Sequence, residues 1–227
     1  MLPWITLDET RTADGTVLTL VRRGTEWEVC ANGFVLMSSR THGSEDELAR
    51  LAFAKVKPPR AVLVGGLGLG FSLRATLDLL GPRGKVVLAE QSASVVEWNR
   101  VHVGDLAGRP LEDPRVRVRV GDVRERIREA RAAYDLILLD VDNGPDALIH
   151  RANGPLYDAT GIVACHVALK DGGALAVWAT GPDDRYLRRL QRSGFDASAV
   201  RVARRPGAGG RKHVVFVAVK AVNRGGR

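Results

Sequence analysis

The chain has 227 residues, of which 45% are hydrophobic and 26% are charged, and its formal net charge is +8. This composition excludes an intrinsically disordered chain, and no apolar run approaches the roughly 20 residues that a membrane-spanning helix needs. The length suits one α/β domain with a small appendage.

The N-terminus lacks the basic and apolar regions of a secretion signal. Cys30 and Cys165 lie far apart in apolar segments, which predicts two buried thiols rather than a disulfide or a metal pair. These features predict a cytoplasmic protein. The positive charge suits anionic partners such as nucleic acid, but arginines on solvated faces account for it as well, so a nucleic-acid partner is not favoured.

Residues 1–43 are predicted to form a small β-meander. Segment 17–21 is rich in β-branched residues, and Asn32-Gly33 is a strong two-residue hairpin signal. A unit of this size is not stable alone. It must pack on the rest of the chain or on another copy, so we expect a homodimer or a larger homo-oligomer.

Residues 44–222 are predicted to form an α/β domain. Ser44 and Glu47 have the spacing of a capping box, and Pro58-Pro59 ends the helix that they would begin. From there, strands alternate with helices, which is typical of a parallel sheet. The predicted strands are 61–64, 86–89, 116–120, 136–140, 174–179, 197–202 and 213–219, and the predicted helices lie near 71–80, 93–103, 124–132, 155–169 and 183–193.

The last two predicted strands leave no room for a helix between them, so they should form an antiparallel hairpin. The predicted fold class is therefore α/β, a seven-stranded Rossmann-like class I methyltransferase sheet with a terminal antiparallel hairpin and an N-terminal β-meander. Arginines alternate with valines over 115–120, as in an edge strand with one wet face. The tail 223–227 is expected to be disordered.

Three motifs indicate a nucleoside site. Gly66, Gly68 and Gly70 follow the first strand of the α/β domain, where a tight turn lets a ligand approach the backbone amides. Glu90 ends the next strand, where a carboxylate can accept hydrogen bonds from both ribose hydroxyls. Asp122 follows the third strand, where an adenine amino group is usually met. Gln91 and Val123, next to these acids, are further candidate cofactor-binding residues.

The fourth strand ends in a second candidate site, Asp140-Val141-Asp142. A carboxylate at this edge, opposite the glycine loop, lies where a reacting sulfonium would sit. Asp140 is the candidate residue to orient or deprotonate a nucleophilic amine, and Asp142 is a second candidate or a turn former.

The segments VLVGGLGLGFSLRATL, AEQSASVVEWNR, DPRVRVRVGDVRERI, YDLILLDVDNGP, GPLY and LKDGG resemble the spermidine/spermine synthase family. The resemblance covers residues 61–180, and the N-terminal meander looks like the β-domain of that family. It implies that the three glycines form the nucleoside loop, that Glu90 binds ribose, that Asp122 meets adenine, and that Asp140 serves the attacking amine. It also implies a dimer or tetramer, and further substrate contacts from Glu47, Asn143 and Tyr157.

Three departures from the family pattern bear on the substrate. Polyamine-forming members carry GGGDGG, whose aspartate holds the ammonium of the aminopropyl group, and Leu69 is taken to stand at that position here. The second acid of their DxxD pair is Asn143. Their Tyr-His pair before a helix glutamate is replaced by Glu45-Asp46 ahead of Glu47. Fewer carboxylates weaken the binding of a cationic substrate.

Other methyltransferase types fit less well. Asp140 and Asp142 resemble the acids of metal-dependent O-methyltransferases, but the Asp-Asn pair that these need is absent, so no metal is expected. The loop after Asn143 lacks the aromatic residue of base-flipping enzymes. The basic segment 201–213 could contact phosphate, but no aromatic residues are interleaved for stacking on single strands.

Three functions remain open from the sequence. The favoured one is transfer of a methyl group from S-adenosylmethionine (AdoMet) to a small-molecule amine or a similar nucleophile. The alternative is aminopropyl transfer from decarboxylated AdoMet, the reaction of polyamine synthesis. The third is a non-catalytic nucleoside-sensing or nucleic-acid-associated protein that uses the basic hairpin.

Overall fold

A computed structural model describes residues 2–12, 15–141, 154–203 and 212–222. These residues form a four-stranded antiparallel sheet and a seven-stranded mixed sheet with flanking helices, which confirms the predicted fold class. None of the helices in the described ranges has the length and apolarity to cross a membrane.

The four-stranded sheet is the predicted meander. Its strands are β1 (Ile5–Arg11), β2 (Val17–Arg23), β3 (Glu26–Ala31) and β4 (Phe34–Ser38), paired in chain order. Asn32 and Gly33 both have positive φ, 47° and 82°. They form the tight turn between β3 and β4 that the Asn-Gly signal predicts.

The first helix, α1 (Gly43–Phe53), begins without the predicted capping box. Its N-cap is His42, two residues before Ser44, which the capping box would make the N-cap, and no side chain caps the free amides. Ser44 is fully buried inside the helix and donates its hydroxyl hydrogen to Glu45, while Glu47 binds Arg50. The capping-box prediction was therefore wrong, because Ser44 lies inside the helix and its hydroxyl binds the Glu45 side chain rather than a free backbone amide.

The seven-stranded sheet has the order β10-β11-β9-β8-β5-β6-β7. Strands β5 to β9 are parallel, and β11 is antiparallel to both β9 and β10, so the predicted terminal hairpin is confirmed. The strands are β5 (Ala61–Gly65), β6 (Lys85–Glu90), β7 (Val116–Val120), β8 (Tyr134–Leu139), β9 (Leu169–Ala179), β10 (Phe195–Ala203) and β11 (Lys212–Lys220). Strand β7 lies at the edge, as its alternating arginines predict.

Helices cover both faces of this sheet, and two apolar clusters fill the space beneath them. The helix predicted near 155–169 is divided in two because the Asp158 side chain accepts a hydrogen bond from the Gly161 amide and caps the second part. Cys30 and Cys165 are buried free thiols, as predicted. The other helices are α2 (Phe71–Leu79), α3 (Ala93–Val101), α4 (Val123–Glu129), α5 (Gly154–Tyr157), α6 (Ala159–Ala168) and α7 (Asp184–Arg192).

Candidate active site

A cavity of about 1320 Å³ lies between the meander and the ends of the parallel strands. Because parallel strands present their carboxyl ends at one edge, the residues after β5, β6, β7 and β8 meet there. They are Gly66, Gln91, Gly121 and Asp140, and all four line the cavity. The opposite wall comes from the meander and includes Met37.

The glycine loop after β5 has a backbone that side chains would obstruct. Gly66 has a φ of +89°, and a Cβ placed there would collide with the backbone oxygen of Asp140. Gly70, with a φ of +90°, is the N-cap of α2. The loop is secured from α3, since the amide of Asn99 donates to the carbonyl of Gly68 at 2.8 Å. The loop thus brings its own amides and the end of β8 close together.

Glu90 is held by the backbone on both sides. One carboxylate oxygen accepts from the Leu67 amide and the other from the Ser92 amide, each at 2.8 Å. Burial raises the pKa of Glu90 in spite of these hydrogen bonds. Each carboxylate oxygen can accept a second hydrogen bond, so the group remains able to bind a pair of hydroxyls. Gln91 follows it in the cavity lining.

Asp122 and Val123 both lie in the lining, at the start of α4. Asp122 caps this helix by accepting from the Arg124 amide at 2.8 Å, and it also accepts from Nε of Arg124 at 2.7 Å. Burial alone would raise the pKa of Asp122, but the hydrogen bonds and the charge of Arg124 outweigh it and lower the pKa. The residue is therefore a stable carboxylate at this end of the cavity.

Asp140 lies just beyond β8, enclosed by protein but open to the cavity. It accepts a hydrogen bond from the Ser72 hydroxyl on α2. Burial raises the pKa of Asp140, and the Ser72 bond only partly offsets that effect. The other two acid-loop candidates, Asp142 and Asn143, lie outside the described residues.

A second carboxylate, Glu45 on α1, reaches the same cavity. Burial and the neighbouring charge of Asp140 raise its pKa from the ordinary value of 4.5 to about 7. Sequence analysis had assigned the substrate contact to Glu47, which the structure places outside the lining and bound to Nε of Arg50 at 2.8 Å. Helical periodicity could have identified Glu45, because it lies three residues before the buried Leu48.

Counting the family motif from the first glycine of the loop gives a different position for its aspartate. When GGGDGG is placed on the loop from Gly65 onwards, its fourth residue falls at Gly68, not at Leu69. A Cβ at Gly68 would lie 2.8 Å from Sδ of Met37, so the meander occupies the space where that carboxylate would start. Leu69 is 3% exposed and packs into the hydrophobic core.

Tyr157 is brought near the site without lining it. Its ring is 4% exposed, and its hydroxyl donates to the carbonyl of Val141 at 2.9 Å. The structure therefore places Tyr157 behind the loop that follows β8, where it can support the position of Asp140. No cluster of metal-ligating side chains is found in the described parts of the chain.

Three residues of β9 and β11 that the sequence did not assign to the site also line the cavity. Trp178 at the end of β9, and Lys212 and His213 at the start of β11, all line the cavity. His213 was assigned no role because no ligand spacing links it to another residue. Only the pairing of β9 with β11 brings it to the site.

No protein-family model matches the chain. Among curated proteins it is similar to a polyamine aminopropyltransferase of Korarchaeum cryptofilum, with 27% identity over 136 residues that cover 60% of this chain and 40% of that protein. The corresponding protein of Saccharolobus solfataricus is 26% identical over 132 residues, which cover 58% and 42% of the two chains. The matched region is thus less than half the length of these curated relatives.

Solved structures show the same fold over almost the whole chain. The spermidine synthase from Thermotoga maritima superimposes with a TM-score of 0.76 and 17% identity, covering 96% of this chain and 73% of that one. A spermidine synthase in complex with the transition state analogue AdoDATO gives a TM-score of 0.80 and 19% identity, with 96% and 74% coverage. The chain therefore shares the fold of these spermidine synthases, and its sequence is similar to polyamine aminopropyltransferases over about 60% of its length.

Proposed function

We propose that this chain transfers an aminopropyl group from decarboxylated AdoMet to an amine. The observation that carries the proposal is the pair of carboxylates, Glu45 and Asp140, in the cavity beside the glycine loop. Among the described residues no cationic side chain pairs with either of them. An unpaired buried carboxylate is costly, and a cationic amine bound between the two would relieve that cost.

The residues present fit a nucleoside donor. Gly66 and Gly68 line the cavity in a turn too closely packed for side chains, and Glu90 keeps free acceptor capacity for the two ribose hydroxyls. We place the adenine beside Gln91, Asp122 and Val123. The bound donor supplies a carbon activated by its positively charged sulfur.

Asp140 would act as the binding and proton-accepting group for the acceptor. Its carboxylate takes one proton from the acceptor ammonium, and Ser72 holds that carboxylate in place. The freed nitrogen lone pair forms the new C–N bond, and the C–S bond breaks with its electron pair going to sulfur. The products are a neutral thioether and a substituted ammonium, which carries the positive charge that the sulfonium loses. The rate would come mainly from holding the two reactants in line.

This proposal replaces methyl transfer, which the sequence had favoured. The relatives named above are aminopropyltransferases, which supports the aminopropyl reaction. One observation still favours methyl transfer from AdoMet as a second candidate. Sδ of Met37, rather than a carboxylate, lies over Gly68, and this environment does not specifically select the ammonium of an aminopropyl tail.

Calorimetric titration with AdoMet, decarboxylated AdoMet and their product thioethers separates the two reactions. We expect tighter binding of the decarboxylated donor and its thioether, and turnover of the decarboxylated donor with an amine. Tighter binding of AdoMet, with methyl transfer, would contradict the proposal and support the second candidate.

Asp140→Asn should lower kcat by about 100-fold or more, because the amide cannot accept the proton of the acceptor. Steady-state kinetics at saturating donor measure this loss. Asp196→Asn is the matched control, since Asp196 is an exposed carboxylate on β10 that does not line the cavity. Unchanged kcat in Asp140→Asn would remove Asp140 from the mechanism.

The acceptor, the oligomeric state, the cellular location and the domain boundaries remain predictions. The acceptor is a small-molecule amine of unspecified length, and the homo-oligomer and the cytoplasmic location rest on sequence reasoning. So do the domain boundaries at residues 43 and 222. Most of the basic 201–213 segment, like the tail 223–227, lies outside the described residues, so the nucleic-acid hypothesis rests on its composition alone.

A further inference from the structure

A hydrogen-bonded chain joins His213 on β11 to Glu45 on α1. Nδ1 of His213 lies 3.0 Å from Oγ of Ser44, and Oγ of Ser44 donates to Oε2 of Glu45 at 2.5 Å. A hydroxyl has one hydrogen to donate. When Ser44 donates its hydrogen to Glu45, its oxygen accepts from Nδ1 of His213 in the tautomer that carries a hydrogen there.

The surroundings fix this geometry. Ser44 is 0% exposed, so water does not compete for its hydroxyl. The ring of Trp178 packs edge-on against the imidazole of His213, with centroids 4.5 Å apart and an interplanar angle of 77°. Trp178, His213 and Glu45 all line the cavity. The hydrogen bonds that join His213, Ser44 and Glu45 therefore form part of the cavity wall.

We propose that His213 and Ser44 are positioning residues that hold Glu45 as a carboxylate directed at the acceptor amine. This inference rests on the proposed function, because it assigns Glu45 to the acceptor ammonium. It extends that function to substrate specificity. The two hydrogen bonds favour the charged form of Glu45, and a charged Glu45 favours a positively charged acceptor.

Electrostatics make such support necessary. Burial, the charge of Asp140 beyond β8 and the charge of Asp46 on α1 raise the pKa of Glu45, while the Ser44 hydrogen bond lowers it. Two further groups face this region: the His42 ring, with Nδ1 3.4 Å from Asp46, and the Lys212 ammonium in the cavity lining. Removal of the chain of donors should leave Glu45 more protonated near neutral pH, and a neutral carboxyl group binds an ammonium less well.

The test compares His213→Leu, Ser44→Ala and His213→Asn at saturating donor. Asparagine can still hydrogen-bond near the position of Nδ1, whereas leucine cannot. We expect KM for the amine to rise about tenfold in the first two variants, with a small change in kcat and unchanged donor affinity. The acidic limb of kcat/KM for the amine should move to higher pH, and His213→Asn should recover most of both effects.

The matched control is His166→Leu, since His166 also packs edge-on against an aromatic ring, Phe195, but does not line the cavity. It should leave KM and the pH profile unchanged. Equal effects of His166→Leu and His213→Leu, or an unchanged KM and pH profile in His213→Leu, would overturn the inference.

A measurement without turnover separates the inference from the proposed function. Carbon-13 NMR of labelled glutamate, assigned with Glu45→Gln, follows the ionisation of Glu45 in the free protein. A higher Glu45 pKa in His213→Leu supports the positioning role even if no amine reacts. An unchanged Glu45 pKa overturns it even if aminopropyl transfer is demonstrated.

Discussion

At the scale of single residues, Gly68 and Met37 form the part of the cavity wall where the tail of the proposed donor would lie. Gly68 has a φ of +53°, a region that aspartate and asparagine tolerate better than other side chains do. The obstacle to an aspartate is therefore the sulfur of Met37, which lies 2.8 Å from the position of a Cβ. The absence of an aspartate at position 68 and the presence of Met37 are therefore linked, because Met37 fills the space that the aspartate side chain would need.

Gly68→Asp alone should weaken donor binding and lower the melting temperature, because its Cβ meets Met37. Gly68→Asp combined with Met37→Ala should fit, and should favour decarboxylated AdoMet over AdoMet by about 10-fold or more, the value of one charge-assisted hydrogen bond. Calorimetry with both donors measures the ratio. A double variant with no change in preference would show that the donor tail lies elsewhere.

Gly66→Ala should destabilise the protein by several kcal/mol, on the order of 3, since it adds a collision with the backbone of Asp140 to an unfavourable φ. Chemical denaturation measures the loss. Gly81→Ala is the matched control, because nothing lies within 4 Å of a Cβ there. Similar stabilities of the two variants would contradict this account of the loop.

At the scale of secondary structure elements, the meander is fastened to α3. Nε1 of Trp98 donates to Oδ2 of Asp8 at 2.6 Å, and Oγ of Ser94 donates to Oγ1 of Thr10 at 3.0 Å. Thr10 and Ser94 both line the cavity. The attachment therefore holds β1 in place and also fixes the part of the cavity wall that Thr10 and Ser94 form.

A double-mutant cycle of Asp8→Ala and Trp98→Phe should give a coupling energy of about 1 kcal/mol. This value lies at the low end of the range for hydrogen bonds to a charged acceptor, because Asp8 is exposed to solvent. Trp98→Phe should also weaken donor binding, as the wall loosens. Denaturation and calorimetry measure the two effects, with the exposed Trp4→Phe as control. Additive single effects would show that the hydrogen bond does not couple the elements.

At the scale of the whole molecule, a net positive chain encloses an acidic reaction site. The net charge is +8, yet Glu45 and Asp140 sit together in the cavity with raised pKa values. A raised pKa in the folded state means that the folded protein binds protons more readily than the unfolded chain does. The stability from these groups is fully present below their unfolded pKa and is lost as pH rises through the folded pKa.

The free energy of unfolding of Glu45→Gln should therefore depend less on pH than that of the wild type between pH 4.5 and about 7. The wild type should lose stability relative to the variant as pH rises through this window. Asp113 titrates below this pH window, because its bonds to Arg115 lower its pKa to about 2. Chemical denaturation at several pH values, with Glu47→Gln as control, measures the difference. Parallel curves for wild type and Glu45→Gln would refute the raised pKa.

The sequence by itself determined the fold and the donor side of the cavity. Strands and helices have different hydrophobic periods, and parallel strands end at one edge, so Gly66, Glu90, Asp122 and Asp140 were predicted to meet from their places after four strands. The structure brings all four to one cavity. Their roles in binding and catalysis remain proposals.

Only the tertiary structure decided the acceptor side. Ser44 and His213 are 169 residues apart, and they meet because β11 pairs with β9 beside α1. Glu45 rather than Glu47 faces the cavity, because Glu45 shares the inward face of α1 with the buried Leu48. Local patterns carry no information about which side chains become neighbours across a sheet, since that depends on long-range packing of the whole chain.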